Sequence, residues 1–186
     1  MSKLKELVSI LVAVSAYAVI AQSPADGHTT KVSYVDTHFH FAYTWPAMLK
    51  PQPLPSASAD GSNPRTYESP LFIAREGCEP YGVVIVAQKL GVAGPHSTPL
   101  TKSADLIERI ARSLRPGPIL SNITRSEKKN PRGMVFDELS YLQSGKPSSV
   151  IATQVGEYLI IFKCNARSVA EIRAMEDSVL TLRMLT

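Results

Sequence analysis

The residues best suited to chemistry lie close together, in Val35-Asp36-Thr37-His38-Phe39-His40. Alternate residues of a β-strand share a face, so on one extended segment Asp36, His38 and His40 point the same way. Imidazole suits zinc, copper and nickel, and His28 or His96 is the available third nitrogen. That set describes a small metal-binding protein or a metal-assisted hydrolase. The plainer reading of the same pattern is the polar outer face of a half-buried strand.

Other chemistry has less support. There is no Gly-x-Ser-x-Gly elbow, and Ser69, Ser121 and Ser140 sit in no recognisable nucleophile turn. No glycine loop fit to cradle phosphate occurs. The only cysteines are Cys78 and Cys164, without the close spacing of a metal or redox pair. In an oxidising compartment they form either one disulfide or two separate buried thiols. As a nucleophile, Cys78 would have Arg75 nearby, but Glu76 and Glu79 oppose it. A second candidate surface is basic. Arg125, Lys128, Lys129 and Arg132 fall in one short stretch that reads as an exposed loop, fit for an anionic envelope component or an acidic protein face. Nucleic acid is not expected, because no aromatic residues interleave with these charges. No cofactor is implied.

The chain that must position these groups has 186 residues, 44% hydrophobic and 19% charged, with a formal net charge of +4. Those values describe one globular domain. They exclude a mainly disordered chain, and the length falls short of the roughly 250 residues of a large barrel enzyme. Residues 1–21 read as an export signal: Lys3 and Lys5 precede an apolar run from Leu7 that ends in small residues. Cleavage follows Ala18 or Ala21, with Ala21 favoured because a polar segment begins at Gln22. No cysteine stands there to carry a lipid anchor, and no later run reaches the length of a membrane span. A secreted or periplasmic location is expected.

Residues 22–31 read as a polar arm, and residues 32–186 as a single domain. Phe39, Phe41, Tyr43 and Trp45 alternate along a strand stopped by Pro46. Residues 50–70, with five prolines (Pro51, Pro53, Pro55, Pro64 and Pro70), form a long surface excursion. The β-branched run 81–87 predicts a central strand buried on both faces. Ser103 caps a helix through residue 115, on which Leu106, Ile107, Ile110, Ala111 and Leu114 make one stripe. Four strand-like runs, at 119–124, 134–141, 149–154 and 158–162, are punctuated by turns and predict an antiparallel meander. Ser168-Val169-Ala170-Glu171 has capping-box form and opens a helix to about residue 184.

The order of these elements, carried by Phe39-His40-Phe41-Ala42-Tyr43-Thr44-Trp45-Pro46, the strand at 83–87, the helix at 104–115, the strand at 158–162 and Met175-Glu176-Asp177-Ser178-Val179, resembles the PsbP/Mog-like α/β/α sandwich fold. The resemblance implies an α+β domain, a twisted antiparallel sheet flanked by helices. It also implies a family whose members mostly bind or assist partners and share no catalytic set, so no site residue is carried over. A shorter resemblance, of residues 35–40 to the first metal-binding strand of amidohydrolases, lacks that family's later ligands and its barrel. The expected function is that of an exported, non-catalytic binding or accessory protein of the bacterial envelope or secreted space. Its partner is another envelope protein or an anionic envelope component, met through the Pro-rich and basic segments.

Overall fold

The computed structural model describes residues 18–20, 32–54, 68–77, 80–92 and 98–185. Among these residues two sheets and two helices form three layers. The larger sheet is antiparallel with strand order β4-β5-β6-β10-β9-β8-β7, comprising β4 (Lys50–Pro51), β5 (Glu68–Arg75), β6 (Gly82–Lys89), β7 (Leu120–Lys129), β8 (Val135–Gln143), β9 (Lys146–Val155) and β10 (Tyr158–Asn165). The smaller has order β1-β2-β3-β11, from β1 (Ala18–Ile20), β2 (Val32–Asp36), β3 (Phe41–Trp45) and β11 (Arg183–Met184). Helix α1 (Ser103–Ser113) packs on β8 and β9, and α2 (Val169–Val179) on β3, β9 and β10.

Side-chain alternation explains the layering. On β10, Ile160, Phe162 and Cys164 enter one core and Leu159 and Ile161 the other. The first core is closed by α2 and the aromatic row Phe41, Tyr43 and Trp45 of β3. The second is closed by Leu106, Ile107 and Ala111 of α1. A strand covered on both sides reads as a continuous apolar run, which is why β6 stood out in the sequence, and β10 carries the same kind of run, Leu159–Phe162. The turns follow residue chemistry too. Ser144 and Gly145 have φ of 51° and 75°, so both central residues of the β8–β9 turn are left-handed, as the right-handed strand twist prefers.

Several boundaries differ from the sequence reading. The single aromatic strand expected over 32–45 is a hairpin: β2 ends at Asp36, residues 37–40 turn, and β3 begins at Phe41. The N-cap of α1 is Lys102, and the Asp105 carboxylate accepts the backbone N–H groups of Thr101 and Lys102 at 3.0 and 3.1 Å. Ser103 lies inside the first turn, where its hydroxyl donates to Asp137. Ser168 does cap α2, accepting the N–H of Glu171 at 3.2 Å, but Glu171 takes the N–H of Arg167 and not that of the cap residue. Helix α2 ends at Val179, and the chain turns to lay β11 against β3. That ending fits the sequence: Thr181 bonds back to the Ser178 carbonyl and to Thr44 of β3. Of the Pro-rich segment, residues 50–51 and 68–70 are already strand, and 55–67 lie outside the described residues. Within the segment read as an export signal, Ala18–Ile20 pair with β2 at the sheet edge, and 1–17 lie outside the described residues.

Candidate functional site

Asp36 is the pivot of the β2–β3 hairpin. Only 4% exposed, it receives the backbone N–H groups of His38 and Phe39, both at 2.9 Å, on Oδ1 and the Tyr34 hydroxyl at 2.7 Å on Oδ2. Both carboxylate oxygens thus serve the turn. His38 and His40 stand exposed on it, and His40 has φ of 52°. Between them Phe39 turns inward, its ring edge-on to Tyr158 at 4.9 Å. Breaking the strand at Asp36 therefore removes the alternation that aligned Asp36, His38 and His40. No three His, Cys, Asp or Glu groups converge to hold a metal among the described residues. His28 and His96 lie outside them.

The basic stretch is also reorganised. Residues 125–129 are strand, not loop, and β7 forms one edge of the larger sheet. Successive side chains go to opposite faces. Arg125 reaches Glu108 of α1 at 3.3 Å, whereas Lys128 turns toward α2 and lies 2.8 Å from Glu138 and 3.4 Å from Glu176. Lys129 and Arg132 remain exposed around the β7–β8 turn. That turn, Asn130-Pro131-Arg132-Gly133, is one of those the sequence predicts, and it is held by Asn130. Its Oδ1 accepts the N–H groups of Arg132 and Met134, both at 3.0 Å, and its Nδ2 donates to the Leu182 carbonyl at 3.0 Å.

Lys128, Glu138 and Glu176 form a charged knot between the sheet and α2. Glu138 is 2% exposed, and its oxygens accept the hydroxyls of Ser126 at 2.9 Å and Ser140 at 3.1 Å. Burial pushes its carboxyl up, but Lys128 and Ser126 outweigh burial and hold it below the ordinary carboxylate value. Glu176 goes the other way: burial and the charge of Glu138 raise it, with Lys128 only partly offsetting them. Burial pulls Lys128 down, yet its bonds to the two carboxylates leave it raised. The sequence carried the pieces, but only the register of β7 on β8 and the docking of α2 bring them together.

Cys164 is a free thiol, 1% exposed in the core under α2, and Cys78 lies outside the described residues. Burial pushes the Cys164 thiol up to about 12, far from the thiolate a nucleophile needs. An open hollow of about 350 Å³ lies beside α1, lined by Thr98, Pro99, Asp105, Glu108, Arg109 and Arg112. Its charges already have partners: Arg109 donates to the Thr98 carbonyl, and Glu108 takes Arg112 at 2.7 Å as well as Arg125. No helix among the described residues is long and apolar enough to cross a membrane.

No known protein family matches the chain, and no curated protein matches it. Its fold, however, is similar to a solved one. The solution structure of cyanobacterial PsbP (CyanoP) from Synechocystis sp. PCC 6803 aligns with a TM-score of 0.56 at 11% identity, covering 89% of this chain and 98% of that one. The chain has a PsbP-like α+β fold, as the order of its elements led us to expect.

Proposed function

We propose that this protein is an exported, non-catalytic accessory protein of the bacterial envelope or secreted space that works by contacting a macromolecular partner. The observation that carries the reading is the filling of the larger sheet on both faces. Packed side chains occupy the interior where a substrate cleft would otherwise form, and exposed basic residues, Lys50 at one edge and Lys129 and Arg132 at the other, stand at the rim. The PsbP-like fold supports the same reading by analogy of architecture. The basic residues and the Pro-rich segment leave from opposite edges of the sheet, β7 and β4, six strand spacings or roughly 29 Å apart. They therefore act as two separate contacts. Lys129 and Arg132 meet an acidic face, and the Pro-rich segment meets a second surface.

Photo-cross-linking in the native host tests this. A photoreactive residue at Arg132 or at Lys50 is expected to give a discrete adduct with one envelope protein, and one at Arg173 on α2 is expected to give none. The mature chain recovered with the adduct is expected to begin at Gln22, or at Val19 if Ala18 is the cleavage residue. Absence of any adduct from both edge positions, or recovery of the chain from the cytoplasm with residues 1–21 intact, overturns the reading.

A further inference from the structure

We propose that β7 is a self-association edge: two copies of this chain pair their β7 strands antiparallel about a two-fold axis that sets Ser126 opposite its own copy. This goes beyond the partner contact above and does not depend on it. β7 spans Leu120–Lys129 and pairs only with β8 among the described residues, so its outer side offers a row of main-chain donors and acceptors. The stretch from Thr124 to Lys129 pairs regularly with β8. The irregularity between Ser121 and Thr124, where Asn122 has φ of 52°, marks the other limit of the flat edge.

Charge selects the register. A two-fold axis normal to a continuous sheet places each residue opposite one on the same face, so the axis runs midway between one residue and its own copy. Centring on Arg125 sets Arg125 against its own copy. Centring on Glu127 sets Glu127 against itself, and centring on Lys128 or Lys129 does the same for those lysines. Each opposes like charges directly, which destabilises a strand pair. Centring on Thr124 drives the pairing through the irregular segment at Asn122. Centring on Ser126 alone sets Arg125 against Glu127 of the second copy, and Glu127 against its Arg125. Lys128 then faces Thr124 and Ser126 faces itself, so the pairing from Thr124 to Lys128 stays within the regular edge.

Glu127 is the residue that needs this pairing. Its cross-strand neighbour on β8 is Asp137, a like charge, and its own ion pair is Lys129 at 4.0 Å. A guanidinium from a second copy would lie on its open side. Arg125, held at 3.3 Å from Glu108, presents its fork on the same face as Glu127. The dimer would therefore carry, twice, an alternating row of Glu108, Arg125 and the second copy's Glu127.

Sedimentation equilibrium on the full chain and two single variants, from about 10 to 500 µM, tests the register, a range set for an interface smaller than that of permanent dimers. Wild type is expected to dimerise reversibly, less so as salt rises. Arg125→Glu and Glu127→Arg each place two like-charge pairs in the symmetric dimer and are expected to weaken it by about tenfold or more. Mixed in equal amounts, the two variants regain both opposite-charge pairs and are expected to associate at least as well as wild type. Thermal melting of each variant confirms that it folds, and Glu127→Arg leaves the Arg125–Glu108 pair in place. A wild type that stays monomeric throughout, singles that dimerise like wild type, or a mixture no heavier than its components overturns the proposal.

Discussion

Lys128 holds one buried and one half-buried carboxylate of opposite titration behaviour, and the stability of the α2 contact inherits both. Glu138 is shifted down, so its contribution is present above the ordinary carboxylate value of 4.5 and is lost as pH falls through its lower native value. Glu176 is shifted up, so its contribution is complete below 4.5 and is lost as pH rises through its higher native value. The knot should therefore contribute most near pH 4.5, with losses on either side. Denaturant unfolding across pH 3 to 8 is expected to show Glu176→Gln removing the decline above that point and Glu138→Gln removing the decline below it. An unchanged slope in Glu176→Gln would contradict the assignment. This knot was not legible in the sequence, because the second half of β7 reads as a loop when Arg125, Glu127, Lys128 and Lys129 are counted as solvated charge. What orders them is the alternation of faces on a strand, which sends Arg125 to α1 and Lys128 to α2. Asp36, His38 and His40 show the reverse error: alternation was assumed through a point where the chain turns.

At the scale of elements, apolar pattern and turn residues were legible and close approaches were not. The Ser168 cap, the β7–β10 meander and the central β6 all follow from local chemistry, and all are present. Gly82 opens β6 for a reason visible only in three dimensions. Its φ is 154°, and a Cβ there would lie 2.1 Å from the Ala74 carbonyl oxygen on β5. Backbone cannot yield as a flexible side-chain tip does. Gly82→Ala is expected to cost about 2–4 kcal/mol, at or above the usual range for overpacking, read as a fall in the denaturant midpoint with unchanged slope. A loss below about 0.5 kcal/mol would mean that β5 and β6 are free to separate there. The end of α2 was missed because its helical spacing continues past Val179. The competing bonds of Thr181 to Ser178 and Thr44 lie in the tertiary structure, not in the periodicity.

Across the whole molecule, one sheet is covered twice, by α1 on one face and by α2 with the small aromatic sheet on the other. In this arrangement Asp36 and Glu138 are held in structural bonds and Cys164 lies deep in apolar packing, while His38 and His40 stand exposed on a turn. Under the proposed function, recognition falls to the rim. Fold class could be read from the sequence because burial on both faces leaves long β-branched runs and an amphipathic helix for each side. The separation of the Pro-rich and basic segments could not, since β4 and β7 become opposite edges only once the strand order is known.

The central claim is that surface contact, and not chemistry at a reactive side chain, performs the function. Complementation of a strain lacking the protein tests it most directly. A variant carrying His38→Ala, His40→Ala, Cys78→Ala and Cys164→Ala together is expected to restore the wild-type phenotype, and Lys129→Glu with Arg132→Glu is expected to fail while accumulating normally. Failure of the first with rescue by the second would contradict the account.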